Sequence, residues 1–244
     1  MLIVAHRGDS EFYPENTLIA FEAAIEAGAD VIELDVHMTS DSYLVVHHDY
    51  YLGRSDDGVG KIYEQPVSYI KALDAGSWFN PRFKGQEIPL LAEVLSCFRG
   101  ATRFELELKG FDSNFIREVS SLVDEFNLWD AIEFTSAPNY LISRFKQEFP
   151  AARVGIFIPA PAPWMDIELG QKLAIENLTL GNIDVGHLPL ELLTGEFVEL
   201  LRTRGIIVHV ANCDLAADIQ RARDLRADQL STNSLHRAIE LIKT

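Results

Sequence analysis

The stretch "LIVAHRGDSEFYPENTLIAFEAAIEAGADVIELDV", residues 2–36, indicates the fold of the whole chain. It begins with four apolar residues, continues through a polar loop into a segment with apolar residues at helical spacing, and ends in a second apolar run. Thr17 is placed to cap the helix, and Gly28 to end it. The stretch therefore predicts a strand, a helix and a second strand, which is the repeating unit of parallel α/β folds.

Short apolar runs alternate with segments of helical spacing along the rest of the chain as well. We predict eight strands, at residues 2–5, 31–36, 103–109, 132–136, 153–158, 178–185, 206–211 and 227–232. Eight strand–helix units in 244 residues are typical of an α/β chain folded as a (β/α)8 TIM barrel. A doubly wound open sheet is the structural alternative.

Residues 50–88 interrupt this alternation. They are rich in Gly, Asp, Asn and Pro, and they contain aromatic residues that we expect to be exposed. We predict a small insertion after the second strand that lies over the barrel mouth, within a single domain of residues 1–244. At this length we do not expect the insertion to bury a core of its own.

The composition excludes several classes of function. The chain has 37 acidic and 21 basic residues and a formal net charge of -16, without a Lys/Arg cluster, which argues against nucleic-acid binding. Local cations still allow a small anionic ligand. The N-terminus resembles a buried strand rather than a signal peptide, and no window reaches the ~20 apolar residues of a membrane span, so we expect a cytoplasmic protein without stable membrane association. We expect Cys97 and Cys213 to be buried thiols; the oligomeric state stays undetermined.

Charged residues alternate with apolar ones on two of the predicted strands. Glu33 and Asp35 do so in "VIELDV", and Glu105, Glu107 and Lys109 do so in "FELELK". Residues two apart share one face of a strand, so we expect these side chains to point into the barrel interior. Buried carboxylates need a compensating cation, and oxygen ligands favour Mg²⁺ or Ca²⁺ over zinc. The pattern therefore predicts a divalent cation site.

A buried ion-pair network is the alternative to a metal site. It would join Glu105 and Glu107 to Lys109 and Arg7. We favour this interpretation for Glu105, which lies deeper along its strand than Glu107.

Two histidines follow apolar runs, His6 after "LIVA" and His48 in "LVVHHD". Imidazoles titrate near neutral pH, so one histidine can act as a base and the other as an acid. Arg7 and Lys109 are suited to hold a phosphate, and Glu15 precedes a helix N-terminus, where free N–H groups attract anions. Together with a divalent cation, these groups fit the hydrolysis of a phosphodiester.

Five ordered motifs resemble the glycerophosphodiester phosphodiesterase family. They are "AHRG…PENT", "GADVIELDVHMTSD", "LVVHHDYYLGR", "IPLLAEVL" and "LELK". The similarity is dense from residue 3 to about residue 110 and looser afterwards. It implies a TIM barrel with a small insertion after the His-Asp motif, and an enzyme that hydrolyses small glycerophosphodiesters to sn-glycerol 3-phosphate and an alcohol.

The resemblance also implies a set of site residues. The family's general acid/base pair corresponds to His6 and His48. Its metal carboxylates correspond to Glu33, Asp35 and Glu107. Its substrate- and phosphate-binding residues correspond to Arg7, Lys109 and Glu15. Glu15 would lie near the metal or near the glycerol hydroxyls. His47 matches no motif position, and we expect it to have a structural place.

The chain departs from the family pattern at the ends of its last strands. His209 stands where the family usually has a Trp, and Asn233 stands where it usually has an Asp. Thr135-Ser136 and residues 39–42 also differ from the usual motifs. These departures spare the implied catalytic set, so they concern the identity of the substrate more than the type of reaction.

Two other functions are compatible with parts of the sequence. A lysophospholipase D-type phosphodiesterase would use the same motifs, with apolar surface for an acyl chain supplied by residues 50–51, 77–79 and 159–165. A non-catalytic phosphate-binding barrel is the alternative from another class. The complete set of acid/base and metal-binding residues argues against it.

Overall fold

The computed structural model describes residues 1–243. The strands are β1 (Leu2–Ala5), β2 (Val31–Met38), β3 (Leu44–Val46), β4 (Arg103–Leu108), β5 (Ile132–Ser136), β6 (Arg153–Phe157), β7 (Val185–Leu188), β8 (Ile207–Val210) and β9 (Gln229–Thr232). The helices are α1 (Leu18–Ala27), α2 (Val67–Ile70), α3 (Leu91–Phe98), α4 (Ser113–Phe126), α5 (Asn139–Glu148), α6 (Ile167–Leu180), α7 (Gly195–Thr203), α8 (Ala216–Asp224) and α9 (Leu235–Lys243).

Eight of these strands form a closed parallel barrel. They follow the order β1-β9-β8-β7-β6-β5-β4-β2, and pairing of β1 with β2 closes the ring. This closure confirms the predicted (β/α)8 barrel and excludes the open sheet. The barrel brings the carboxyl ends of all eight strands to one mouth, where polar residues that are distant in sequence can meet.

Two strand assignments differ from the sequence prediction. The run "LVVHHD" contributes β3, which pairs antiparallel with β2 and lies outside the ring. The predicted strand at residues 178–185 is wrong over most of its length, since α6 continues to Leu180 and β7 begins at Val185. Ala174, Ile175 and Leu178 are buried at helical spacing, so the apolar "LTL" belongs to the last turn of a helix.

The first helix has the predicted ends. The Thr17 hydroxyl accepts a hydrogen bond from the backbone N–H of Ala20, and Gly28 ends the helix with a left-handed φ of 101°. Helix α1 packs its buried face, which includes Phe21 and Ala24, against the barrel. This fixes the loop between β1 and α1 above the mouth.

Aspartates at the opposite end of the barrel join neighbouring strands. Asp30, Asp184 and Asp228 each precede a strand and accept a hydrogen bond at 2.8 Å from a backbone N–H of the strand before it in the chain. Each carboxylate thus satisfies a donor at the start of a strand. These bonds help to fix the register that brings the polar side chains together at the mouth.

The segment of residues 50–88 packs beside the barrel mouth. The expectation that it buries no core is wrong. Leu52, Ile62, Ile70 and Leu73 of the segment belong to a small buried apolar cluster. The segment also contacts the β1–α1 loop, since Arg82 donates a hydrogen bond to the carbonyl of Phe12. Tyr51, Tyr63 and Trp78 of the segment are exposed, as the sequence predicts, but Phe83 is buried.

The two thiols differ in exposure. Cys213 is buried as expected, but Cys97 is exposed, because it lies on the outer side of α3, whose inner side carries Leu91, Val94 and Leu95. Within residues 1–243, no helix combines the length and apolar character that crossing a bilayer requires.

The turn after β1 gives a stability prediction. Gly8 has a φ of 84°, and a Cβ atom there would lie 2.7 Å from the backbone carbon of Ala20. We expect Gly8→Ala to lower the free energy of unfolding by about 2–4 kcal/mol, because left-handed strain and overpacking add. Gly100→Ala is the matched control, since Gly100 has a φ of 80° but open space around its Cα. Urea unfolding should show a clearly smaller loss for Gly100→Ala; equal losses would contradict the packing argument.

Candidate active site

The loop after β1 turns sharply so that its polar groups face the barrel mouth. Arg7 and Gly8 both have positive φ, at 61° and 84°. In this conformation the backbone N–H of Arg7 donates to Glu33 Oε2 at 2.9 Å, and the Arg7 side chain lies 3.4 Å (Nε) from Asp35 Oδ2. One residue therefore contacts two acidic side chains of β2 through its backbone and its side chain.

Three carboxylates meet at the carboxyl ends of β2 and β4. Asp35 pairs in register with Glu107, and Glu33 lies two residues before Asp35 on the same face. One oxygen from each of Glu33, Asp35 and Glu107 lies within 4.8 Å of the others. Glu33 and Asp35 are buried, and the Glu107 side chain is 12% exposed, so the cluster opens towards the mouth at Glu107.

Lys109 and Arg7 are the cations next to this cluster. Lys109 Nζ lies 2.6 Å from Glu107 Oε1 and 3.1 Å from Asp35 Oδ1. Burial opposes the charge of Lys109, but Asp35 and Glu107 outweigh burial and raise its pKa to about 12. Two cations thus face three carboxylates, and the cluster lacks one positive charge.

The pKa values of the carboxylates reflect this missing charge. Burial, together with Asp35 and Glu107, raises the pKa of Glu33 well above its usual range. Burial also raises the pKa of Glu107, whereas Lys109 and Arg7 overcome burial at Asp35 and lower its pKa. A divalent ion would supply the positive charge that a proton on one of these carboxyl groups otherwise supplies.

The donor set fits such an ion. Asp35 Oδ1 is buried and accepts no hydrogen bond of standard geometry within the described residues, although Lys109 is near. Asn16 donates to the other oxygen, Asp35 Oδ2, at 2.8 Å and so fixes the carboxylate. Three convergent carboxylates with a fixed orientation are suited to a divalent metal ion.

His6 is held by an amide from the last strand–helix connection. Its Nδ1 lies 2.8 Å from Asn233 Oδ1, and Asn233 Nδ2 donates to Asp214 Oδ2 at 2.9 Å. A carboxylate only accepts, so Asp214 turns the amide oxygen towards His6 and leaves Nδ1 as the protonated nitrogen. Burial and the neighbouring Arg7 lower the pKa of His6, which favours a neutral ring with Nε2 free to accept a proton.

His48 is held by a carboxylate instead. Its Nδ1 lies 2.6 Å from Asp49 Oδ1, and Asp49 Oδ2 accepts from Arg54. Burial opposes ionisation of Asp49, but the hydrogen bonds from Arg54 and His48 outweigh it and lower the pKa of Asp49. His48 therefore has an ionised carboxylate as its partner at Nδ1, whereas the partner of His6 at Nδ1 is a neutral amide.

Arg54 and Glu15 connect the loop that carries Arg7 with the loop that carries His48. Glu15 accepts from Arg7 at 3.0 Å and from Arg54 at 2.6 Å. Glu15 therefore contacts the phosphate-binding candidate Arg7 rather than the carboxylate cluster. Through Arg54 it also links the loop after β1 to the loop that carries His48.

Glu105 lies apart from the site cations. Its carboxylate instead faces two imidazoles, with Oε1 3.7 Å from His187 Nδ1 and Oε2 3.5 Å from His209 Nδ1. The predicted ion-pair network of Glu105 with Lys109 and Arg7 is therefore wrong. Residues two apart on β4 share a face but lie at different depths, and at the depth of Glu105 the neighbours come from β5, β7 and β8.

Other histidines near the mouth serve the loops. His47 is buried, contacts the carbonyl of Asp49 and lies 3.0 Å from Asp56 Oδ2, in agreement with the structural place expected for it. His37 is buried beneath the carbonyl of His48, and burial lowers its pKa to about 3. Both rings hold the chain segment that carries His48.

Some contributing residues were not assigned a role from the sequence. Asn16 and Arg54 stand inside recognisable motifs, "PENT" and "YYLGR", so their positions were the only signal. Asn233 was noted only as a departure from the family pattern that spares the catalytic set, and its contact with His6 corrects that expectation. Asp214 has no local signal, and Asn233 is 227 residues from His6. Their contribution depends on pairing of β1 with β9, which closes the barrel.

The side of the mouth opposite the carboxylates contains a cavity of about 460 Å³. It is lined at the ends of β6, β7 and β8 by residues that include Phe157, His187, Asn212, Asp218 and Arg221. A cavity of this size can accept part of a small polar substrate.

Aromatic residues form a second feature of the mouth. Tyr50 and Tyr63 both pack against Phe111, with ring centroids 5.5 and 5.3 Å apart. Tyr63, Phe111 and Lys109 also line a cavity of about 270 Å³. Apolar surface therefore lies directly beside the charged site.

Comparison with known proteins agrees with this geometry. The model of the glycerophosphoryl diester phosphodiesterase family matches residues 6–236. A glycerophosphodiester phosphodiesterase of Caldanaerobacter subterraneus subsp. tengcongensis is 30% identical over an alignment of 253 residues, which covers 99% of this chain and 98% of that protein.

Solved structures extend the comparison. The glycerophosphodiester phosphodiesterase of Agrobacterium tumefaciens str. C58 has a TM-score of 0.84 at 27% identity, covering 98% of this chain and 99% of that one. A phosphodiesterase of Oleispira antarctica, solved in complex with the product sn-glycerol-3-phosphate, shares the fold with a TM-score of 0.88 at 24% identity, covering 100% and 97%. The chain therefore belongs to the glycerophosphoryl diester phosphodiesterase family and is a hydrolase of glycerophosphodiesters.

Proposed function

We propose that this chain hydrolyses small glycerophosphodiesters to sn-glycerol 3-phosphate and an alcohol, with Mg²⁺ or Ca²⁺ bound by Glu33, Asp35 and Glu107. The observation that carries the proposal is the convergence of these carboxylates with two cations and two histidines at one mouth. Oxygen-only ligands favour these hard cations. When bound, the ion would neutralise charge on the phosphoryl group and favour an oxygen nucleophile.

Arg7 and Lys109 are the proposed phosphate-binding residues. Both are held by carboxylates, so their charged groups are oriented before the substrate arrives. Glu15 contributes through Arg7 and Arg54, whose guanidinium groups it binds. We therefore assign Glu15 to substrate binding as the residue that positions Arg7.

His6 and His48 are the proposed general base and general acid. His6 has a neutral amide at Nδ1 and a lowered pKa, which suits a ring that accepts a proton from the attacking oxygen. His48 has the carboxylate of Asp49 at Nδ1, which orients the ring for proton donation to the leaving oxygen. The two rings would exchange these roles for a second step.

We further propose that residues 1–244 act as one catalytic domain. The segment of residues 50–88 supplies Arg54 to the site and Tyr63 to its apolar border, which supports a role in covering the mouth. Thr244 lies outside the described residues.

Product analysis tests the proposed reaction. The purified protein is incubated with glycerophosphocholine, and the products are separated and measured. Release of sn-glycerol 3-phosphate and choline is expected. Release of phosphocholine and glycerol would contradict the assignment of the cleaved bond, and no turnover of any glycerophosphodiester would contradict the proposal itself.

The pair Asn233–Asp214 gives a prediction about His6. Asp214 Oδ1 accepts from the backbone N–H of Asn233 at 2.7 Å, so in Asp214→Asn the amide oxygen should keep that place and the amino group should face Asn233 Nδ2. The Asn233 amide then reverses and directs Nδ2 towards His6 Nδ1. The ring then takes the wrong tautomer, so kcat should fall roughly tenfold or more with little change in KM.

The double variant Asp214→Asn/Asn233→Asp is the matched control. The new carboxylate at position 233 accepts from His6 Nδ1 and from the new amide at position 214, so we expect kcat to recover. The new carboxylate raises the pKa of His6, and the acid limb of the pH profile of kcat/KM should move to higher pH. A double variant no more active than the single one would contradict this orienting role.

A lysophospholipase D-type reaction is the second candidate function. The contacts of Tyr50 and Tyr63 with Phe111 beside Lys109 favour it, because an acyl chain needs apolar surface next to the phosphate. Turnover of glycerophosphocholine and lysophosphatidylcholine should be compared in wild type and in Phe111→Ser. A preference for the lysolipid that Phe111→Ser abolishes would favour this candidate over the first.

A further inference from the structure

A second cluster of ligating side chains lies deeper in the barrel than the catalytic carboxylates. It consists of Glu105 on β4, Glu133 on β5, His187 on β7 and His209 on β8. One ligand atom of each lies within 4.8 Å of the others. Their exposures are 3%, 7%, 1% and 0%, so all four are more than nine-tenths buried.

Several polar atoms of this cluster lack partners. Among the described residues, Glu105 Oε2, His187 Nδ1 and His209 Nε2 form no hydrogen bond of standard geometry. Burying a polar atom without a partner is costly, and most buried polar atoms in proteins are satisfied. Three such atoms in one cluster indicate that a ligand belongs there.

Other atoms of the cluster are fixed by hydrogen bonds. His187 Nε2 lies 2.8 Å from Glu133 Oε1, and Gln229 Nε2 donates to Glu133 Oε2 at 2.9 Å and contacts His209 Nδ1 at 3.0 Å. Such contacts orient ligating groups from behind. A network of hydrogen bonds alone does not account for the cluster, because it leaves the three unpaired atoms unexplained.

Gly155 on β6 provides the space beside these ligands. A Cβ atom there would lie 2.7 Å from His187 Nε2 and 3.0 Å from Glu133 Oε1. Strand β6 lies between β5 and β7, and at this position it contributes backbone only. The gap lets side chains from both neighbouring strands approach each other.

The donors and their spacing fit a transition metal. Donors around a tetrahedral ion with bonds of about 2.1 Å lie about 3.4 Å apart. Glu105 lies at about this spacing from both imidazoles, with its Oε2 3.5 Å from His209 Nδ1 and its Oε1 3.7 Å from His187 Nδ1. Two imidazoles with two carboxylates favour zinc or a similar ion over Mg²⁺ and Ca²⁺.

We propose that Glu105, Glu133, His187 and His209 bind a divalent transition metal ion, such as zinc, at a closed site separate from the catalytic carboxylates. The ion would join β4 and β5 to β7 and β8 across the barrel interior. His187 also lines the 460 Å³ cavity at the mouth, which provides a path by which the ion can enter.

Metal analysis tests the proposal. The wild-type protein is refolded with zinc in the presence of excess Mg²⁺, which competes for the oxygen-only site, and free zinc is removed before the bound ion is counted. We expect one zinc per chain for wild type and for the control His236→Gln, whose ring lies at the surface against Asp9. His209→Gln should retain almost none and should lose the zinc-dependent rise in Tm.

Zinc-free wild type, or equal zinc in wild type and His209→Gln, would overturn the proposal. A second measurement uses the wild-type protein alone, so that it does not depend on the folding of His209→Gln. An anomalous-difference map of zinc-soaked or zinc-grown crystals should show a peak between the four side chains. A map without that peak would overturn the proposal independently of any variant and of the hydrolytic activity.

Discussion

Replacement of His48 by alanine is expected to lower kcat for glycerophosphocholine by about 10²–10⁴-fold, the usual contribution of a positioned acid or base. His48 is the proposed general acid, and its partner Asp49 is held ionised by Arg54. The variant should keep its Tm, since the His48 side chain is 32% exposed. The measurement is steady-state release of sn-glycerol 3-phosphate.

His236→Ala is the matched control for His48→Ala. His236 contacts Asp9, and its side chain is 54% exposed on α9, away from the carboxylates. We expect this variant to retain wild-type kcat. Full activity in His48→Ala would remove His48 from the acid/base pair, and a comparable loss in His236→Ala would mean that the assay reports stability rather than chemistry.

Asp35→Asn is expected to have an effect of similar size, a fall in kcat/KM by about 10²–10³-fold. Asp35 lies between Arg7 and Lys109, and its Oδ1, which faces Lys109, accepts no hydrogen bond of standard geometry among the described residues. The amide keeps the shape of the side chain but removes a charge from the proposed metal ligands. The concentration of Mg²⁺ or Ca²⁺ that gives half-maximal activity should therefore rise.

Asp41→Asn provides the control for loss of one negative charge. Asp41 is exposed on the loop between β2 and β3 and contacts Thr39 and the backbone of Val67. It should leave the metal dependence unchanged. An Asp35→Asn enzyme with wild-type activity at the same ion concentration would argue against the proposed ligand set.

Much of the fold follows from local pattern. The alternation of Glu33 and Asp35 with apolar residues predicted an inward-facing pair, and their register with Glu105 and Glu107 agrees with that prediction. The error at residues 178–185 has a local cause as well, because an apolar run at a helix end resembles the start of a strand.

The candidate site was predictable only where it lies within motifs. The contacts of Asn233 and Asp214 with His6 require closure of the barrel, and Glu133 joins Glu105 only through the register of β4 and β5. No spacing in the sequence encodes such neighbours, because each comes from a different strand. The same reason explains why Glu105 was assigned the wrong partners.

The central claim is that hydrolysis of glycerophosphodiesters depends on a divalent ion at Glu33, Asp35 and Glu107. Its most direct test is the release of sn-glycerol 3-phosphate from glycerophosphocholine by wild-type protein before chelation, after treatment with EDTA, and after addition of Mg²⁺ or Ca²⁺. We predict activity that EDTA abolishes and that one of these ions restores. Unchanged activity in EDTA-treated protein that contains no metal would contradict the claim.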